Sequence, residues 1–388
     1  MKSSHSEKLH DTNMQSYEMI LNRLEMAQDE IAMLRKDNSA LKRKLYDKYN
    51  SECILFESFD KKTVFNISII DEARGNFEFS LDGDNWYKDV NMPYDLQNNQ
   101  FFFRGTNPDY FLTREYPDYD DYYIAYDEKN IFASNSSSYF NLSGDISSLL
   151  DYTKVDSFEF KNNMDNRISF INLFGGLEYL YSAKNLKLNT LKYTPYIYSY
   201  LFSDCKSLVE APSLDVTVLS EGCYCGMFDN CEALCIPPEL PATKLEPFCY
   251  ALMFRGCFDL KYCPNLPSMH LNQCCYEEMF HACTSLLVTS RLPAMDLADS
   301  CYNQMFAECT NLIASPELPA TVLADGCYHM MFLLCESLLL APELPAPNAK
   351  ASDYQFMFAG CKSLKFPPII YARNCGDAGV SDDSIILI

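Results

Sequence analysis

Positive charge is scarce in this chain. Its 388 residues carry 31 Lys and Arg against 53 Asp and Glu, a formal net charge of −22. Nonspecific binding to nucleic acid needs a basic surface, so no nucleic-acid partner is expected. The same balance argues against an electrostatic membrane anchor. Long apolar runs are missing too. None approaches the ~18 residues of a spanning helix, so no membrane insertion is expected. The opening run MKSSHSEKLHDTNMQSYEM has no apolar core of the kind a secretory signal requires. Histidine is limited to His5, His10, His270, His281 and His329, and none has a nucleophile at a readable spacing. P-loop, GxGxxG and GxSxG motifs are lacking. Cys223-x-Cys225 and Cys274-Cys275 do not have zinc spacing. The expectation is no enzyme, with no catalytic residues, no metal and no cofactor.

What is present is a repeat. Phe202, Phe228, Phe254, Phe280, Phe306, Phe332 and Phe358 stand 26 residues apart. Three residues after each comes Cys205, Cys231, Cys257, Cys283, Cys309, Cys335 or Cys361, and three further on a leucine, from Leu208 to Leu364. A unit reads C-Y-x-x-M-F-x-x-C-x-S-L, with a tail such as A-P-E-L-P-A-T-x-L. Cys301, Met305, Phe306 and Cys309 have the spacing of one helical face. Prolines such as Pro316 and Pro319 keep the tail from being a long helix, and the even separations of Leu312, Ala314 and Leu318 suit a short extended segment. Each unit therefore reads as a helical turn, a bend and a short strand. No unit buries its Phe and Leu alone, so the units are expected to stack as a solenoid.

The run CYNQMFAECTNLIASPELPATVLADGCYHMMF and its neighbours resemble the BspA-like leucine-rich repeat family, common in surface proteins of gut Bacteroidetes and in their phages. The resemblance covers about Ile171 to Ile370. It implies a curved or superhelical stack with a ladder of short parallel strands, and it implies no activity.

Eighteen cysteines would ordinarily suggest a disulfide scaffold. Twelve of them lie in two repeat columns: the seven above, and Cys223, Cys249, Cys275, Cys301 and Cys327, five before Phe. Neighbours in a column come within disulfide reach, yet their side chains point in parallel. Free, small, buried thiols are the expectation, in keeping with folding in a reducing cytoplasm.

Before the repeats, residues 13–48 read as a coiled coil. Tyr17, Leu24, Ile31, Asn38 and Leu45 fall at position a, and Ile20, Ala27, Leu34 and Leu41 at d. Asn38 at a sets register and favours a parallel dimer; a trimer, or a single amphipathic helix, are the alternatives. Leu24, Ile31, Asn38 and Leu45 are thus candidate oligomerisation residues for a homo-oligomer. Residues 52 to about 140 read as a β-sandwich-like module, with strands at Thr63–Ile70, Phe77–Leu81 and Gln100–Gly105. FSLDGDNWY followed by FFFRGTN resembles the β module that precedes BspA-like repeats. Asp82, Asp84 and Asn85 read as turn residues, with calcium ligation as the alternative. The acidic, tyrosine-rich run from Asp109 to Asn130 is a solvated loop or a contact surface.

The expected class is therefore α+β and multidomain: a coiled coil over 1–50, a β-sandwich-like module over 51–145, and a leucine-rich-repeat solenoid with 26-residue repeats and caps over 146–388. On the strand side, positions Phe+7, +9 and +11 are expected to face out. The candidate binding residues are Lys261 at +7 and Glu239, Asn265, Arg291, Glu317 and Glu343 at +11. His281 at +1 and His329 at −3 stand in mixed polar columns and are expected on the solvated surface.

These features point to a structural or adhesive fibre-type protein. A phage virion appendage, assembled in host cytoplasm with other virion proteins, binding a host-surface glycan or protein, is the first expectation. A bacterial cell-surface adhesin and an intracellular protein-binding scaffold are the alternatives.

Overall fold

A five-stranded sheet, with phenylalanine in four of its strands, precedes the repeats. The computed structural model describes residues 53–59, 64–65, 77–88, 94–95, 100–106, 111–112, 138–151, 168–188 and 195–365. Contacts divide the chain into units 1–50 and 51–388, and every described residue belongs to the second. The coiled coil expected over 1–50 lies outside the described residues.

The strands are β1 (Ile54–Ser58), β2 (Val64–Phe65), β3 (Phe77–Ser80), β4 (Tyr94–Asp95), β5 (Gln100–Gly105), β6 (Phe111–Leu112), β7 (Phe140–Asp145), β8 (Ile168–Ser169) and β9 (Leu180–Lys187). They form a five-stranded mixed sheet in the order β3-β5-β1-β7-β9, and two two-stranded pairs, β2-β4 and β6-β8. In β5, alternation puts Phe101 and Phe103 inward and Phe102 and Arg104 half out. Antiparallel pairing sets Phe56 opposite Phe101 and Leu142, and Phe79 opposite Phe103. The resulting core is aromatic: Phe77 stacks on Phe103 at 5.1 Å and Phe79 on Phe101 at 5.8 Å. Among the described residues the module expected over 51–145 is seen as strands of this mixed sheet and the two short pairs.

β7 and β9 pair in parallel, from Phe140–Leu180 to Asp145–Lys187. Ser182 of β9 bridges Glu210 in parallel, and the ring of Phe56 meets that of Phe174 edge-on at 6.4 Å. One hydrophobic core runs from Ile54 to Phe358. The sheet thus includes strands from both sides of residues 145 and 146.

From Ser199 onward the chain lies in coils that repeat every 26 residues, but the helical half expected of each is absent. Among the described residues, helix is confined to α1 (Ser148–Asp151) and a 3-10 turn at Ala351–Tyr354. The segment from Gly222 to Cys231 shows what replaces it. Gly222, Tyr224, Gly226, Phe228 and Asn230 donate their amides to the next coil, reaching Pro247, Cys249, Ala251, Met253 and Arg255 at 2.7–3.0 Å. The intervening Cys223, Cys225, Met227, Asp229 and Cys231 donate three residues back within their own coil. The backbone is a chain of β-turns in which each amide is satisfied alternately within and between coils. Every fourth residue takes positive φ: Gly222, Gly226 and Asn230 here, and Ser300, Gln304 and Glu308 three coils on. The resemblance of these turns to a helix in sequence has a simple origin. Inward residues recur with a period of four in such a turn chain and 3.6 in a helix, and nine residues do not separate the two.

Two aromatic rows fill the coils. Phe174, Phe202, Phe228, Phe254, Phe280, Phe306, Phe332 and Phe358 stack successively at 5.5–5.7 Å. Tyr198, Tyr224, Tyr250, Tyr276, Tyr302, Tyr328 and Tyr354 stack at 5.8–6.1 Å. All these rings are buried. Such offset ring pairs add about 0.5–1.5 kcal/mol each beyond area burial.

Candidate binding face

The tail of each unit carries the exposed row. Buried Leu240, Leu266, Leu292, Leu318 and Leu344 anchor five tails. The residue just before each is exposed: Glu239, Asn265, Arg291, Glu317 and Glu343. Lys261, at +7, is exposed as well. Its carbonyl accepts the amide of Leu287, and the line continues from Ile313 to Leu287 and from Leu339 to Ile313, at 2.9–3.3 Å. The backbone beneath this face is therefore pinned coil to coil. Leu287 and Ile313 expose 40% and 36% of their surface on this line, so the +7 line is apolar at those two coils and the +11 line is polar.

Position +9 departs from expectation. Pro237 is buried, and Cys263 is half-buried against the core. Neighbouring coils pair here only through single bridges, Tyr262–Val288 and Ala314–Leu340, so strand alternation does not extend past +8.

A second exposed row was not marked from the sequence. Met269, His270, Met295 and Asp296 are exposed at +15 and +16, where His270 and Asp296 form a parallel bridge. His270 Nδ1 and Asp296 Oδ2 are 2.6 Å apart. The signal was present in the variation at +16 (Val218, Lys244, His270, Asp296, Val322), but nothing in the sequence marked this corner as outward.

The turn side corrects two further expectations. His281 and His329 are half-buried rather than solvated. In the +1 column Ser203, Asp229 and Ala307 are buried outright. The reason is pairing along the stack. Arg255 Nε and Nη2 donate to the Asp229 carboxylate at 2.9 and 2.7 Å, although that carboxylate is wholly buried. In the −3 column Asn303 donates to Glu277 at 2.7 Å, and His329 Nδ1 lies 3.0 Å from Asn303 Oδ1. Burial holds the His329 ring below the usual histidine range. Burial also pushes the Asp204 carboxyl up, against the Asn230 amide that donates to it at 3.2 Å. A polar side chain can lie between coils when its partner is one repeat away, which no single unit reveals.

Asp82 is engaged within a turn. Its carboxylate accepts the amides of Asp84 and Asn85 at 2.9 and 2.8 Å, the Asn85 side-chain amide at 2.7 Å and the Ser80 hydroxyl at 3.0 Å. The Asn85 amide holds it well below the usual carboxylate range. Among the described residues, no cluster of three or more His, Cys, Asp or Glu has metal-binding geometry, and no helix is long and apolar enough to cross a membrane. Leu24, Ile31, Asn38 and Leu45, and most of the tyrosine-rich run after Asp109, lie outside the described residues.

No protein-family model, curated protein or solved structure matches the chain.

Proposed function

We propose that the chain is a non-enzymatic display protein: a leucine-rich-repeat solenoid of BspA-like type. It is carried as a homo-oligomer on a phage virion, held there by other virion proteins, and presented to a host-surface glycan or protein. One observation supports this most. The row Glu239, Asn265, Arg291, Glu317 and Glu343 changes residue from coil to coil while the leucines that anchor it do not. A stack whose amides cross from coil to coil holds the backbone that carries these side chains at regular intervals, which lowers the backbone ordering cost of binding. Apolar Leu287 and Ile313 beside charged residues suit an interface with a desolvated centre and a polar rim.

The test is electron microscopy of purified particles and cell fractions with antibody to residues 202–358. Label on protruding virion fibres is the expected result. Label on a bacterial envelope replaces this reading with the surface adhesin, and diffuse cytoplasmic label replaces it with the scaffold.

A further inference from the structure

The polar row on the turn side contains one ring with incomplete hydrogen bonding. His281 Nδ1 is enclosed and has no hydrogen-bond partner. Glu278 Oε2, in the same coil, is 3.9 Å from Nδ1, and Glu308 Oε1, in the next coil, is 3.8 Å from Nε2. Both separations are within ion-pair range and beyond hydrogen-bond length. The ring thus lies between two carboxylates and is bonded to neither.

The other polar groups beside Glu278 come from the coils on either side. Arg255 Nη1 is 3.7 Å from Glu278 Oε2, while Arg255 Nη2 is committed to Asp229 at 2.7 Å. Gln304 Nε2 approaches Glu278 Oε1 at 3.4 Å. Ala307 occupies the His281 column in the next coil and brings no charge. Asp229 and Glu278 both lie within ion-pair range of the Arg255 guanidinium.

We propose that His281 is a proton-operated staple between the coil of Phe280 and the coil of Phe306. A neutral imidazole has one donor and one acceptor nitrogen. Whichever tautomer forms, one carboxylate faces a lone pair and is repelled. The protonated ring has two donors, Nδ1–H for Glu278 and Nε2–H for Glu308, and each closes by about 1 Å to hydrogen-bond length. Imidazole is the side chain that changes charge in the mildly acidic range. Acid therefore tightens this junction. The inference does not depend on the display reading.

Thermal unfolding of the full chain is compared for the wild type, His281→Ala and Glu308→Gln at pH 7.5 and 5.5. Ala307 and Ala359 occupy the same column, so alanine at 281 is compatible with the coil. Other acid-sensitive groups are common to all three proteins and cancel in the differences. The expected result is a wild-type advantage over His281→Ala that grows by about 2 °C on going to pH 5.5, with Glu308→Gln losing roughly half of that growth. An advantage equal at both pH values overturns the proposal. Nitrogen-15 spectra of the histidine rings provide a readout that needs no unfolding. At pH 5.5 both N–H protons of His281 should exchange with water more slowly than those of exposed His270. Equal exchange for the two rings overturns it.

Discussion

Cys309 donates its thiol hydrogen to the carbonyl oxygen of Phe280, 29 residues earlier and 3.1 Å away. The relation recurs at Cys231, Cys257, Cys283, Cys335 and Cys361, and with a step of 31 residues at Cys205, at 3.0–3.2 Å. The Phe280 carbonyl also accepts the amide of Cys283 in its own coil, so each thiol fills the second lone pair of a buried oxygen. This column is a line of weak donors as well as of small apolar side chains. Cys309→Ala removes the donor and leaves a small void. It is expected to lower stability by about 1–2 kcal/mol, read from urea unfolding.

All 17 described cysteines are free. Burial pushes the thiols of Cys223, Cys225 and Cys327 up to about 12, so thiolate is scarce at pH 8. Cys235, in contrast, is only half-buried. A Cys375→Ser protein, which removes the thiol outside the described residues, should react with an aromatic disulfide reagent first at Cys235. The column cysteines should react only on denaturation. Peptide mapping of early label on Cys223 or Cys327 contradicts this.

Arg255 grips the wholly buried Asp229 carboxylate through two donors, Nε and Nη2. Arg255→Ala takes both of these donors away from a buried carboxylate and should cost about 3 kcal/mol. Ser203 and Ala307 hold the same column elsewhere, so adding Asp229→Ser to Arg255→Ala should recover most of the loss. A double-mutant cycle in guanidinium measures the coupling.

Gly256 and Ala282 occupy one column, and both have positive φ, +69° and 59°. A Cβ on Gly256 would stand 2.4 Å from Asn230 Oδ1. Gly256→Ala is therefore expected to destabilise by about 2 kcal/mol, through left-handed strain plus displacement of Asn230. Ala282→Gly releases the same strain at some entropic cost and should stabilise by up to about 1 kcal/mol. Opposite shifts in melting temperature are the result to look for.

His329 is held below the usual histidine range by burial. In the unfolded chain it titrates near ~6.5, so the unfolded state binds a proton first as pH falls. The stability His329 contributes is complete above that value and is lost below it. His329→Gln, which places the Gln355 residue type of the same column there, should gain stability relative to the wild type between pH 7.5 and 5.5. Urea midpoints at the two pH values check the sign, which is opposite to that expected for His281.

Residue spacing by itself determined the register of this protein. Phe280, Cys283 and Leu286 recur at one interval, and apolar side chains in register bury together whatever path the backbone takes between them. It also determined that Glu317 stands out beside buried Leu318, because one tail residue must turn away when its neighbour anchors. Tertiary structure alone decided the rest. Whether Cys301, Met305 and Phe306 lie on a helix or on linked turns depends on where the amides go, and half of them go to the next coil. Whether Asp229 is surface or interior depends on Arg255, 26 residues away. Whether β7 ends a module or continues a stack depends on its parallel pairing with β9. Each of these is settled by a partner distant in sequence, and hydrogen bonds between distant residues leave no periodic trace in a single chain.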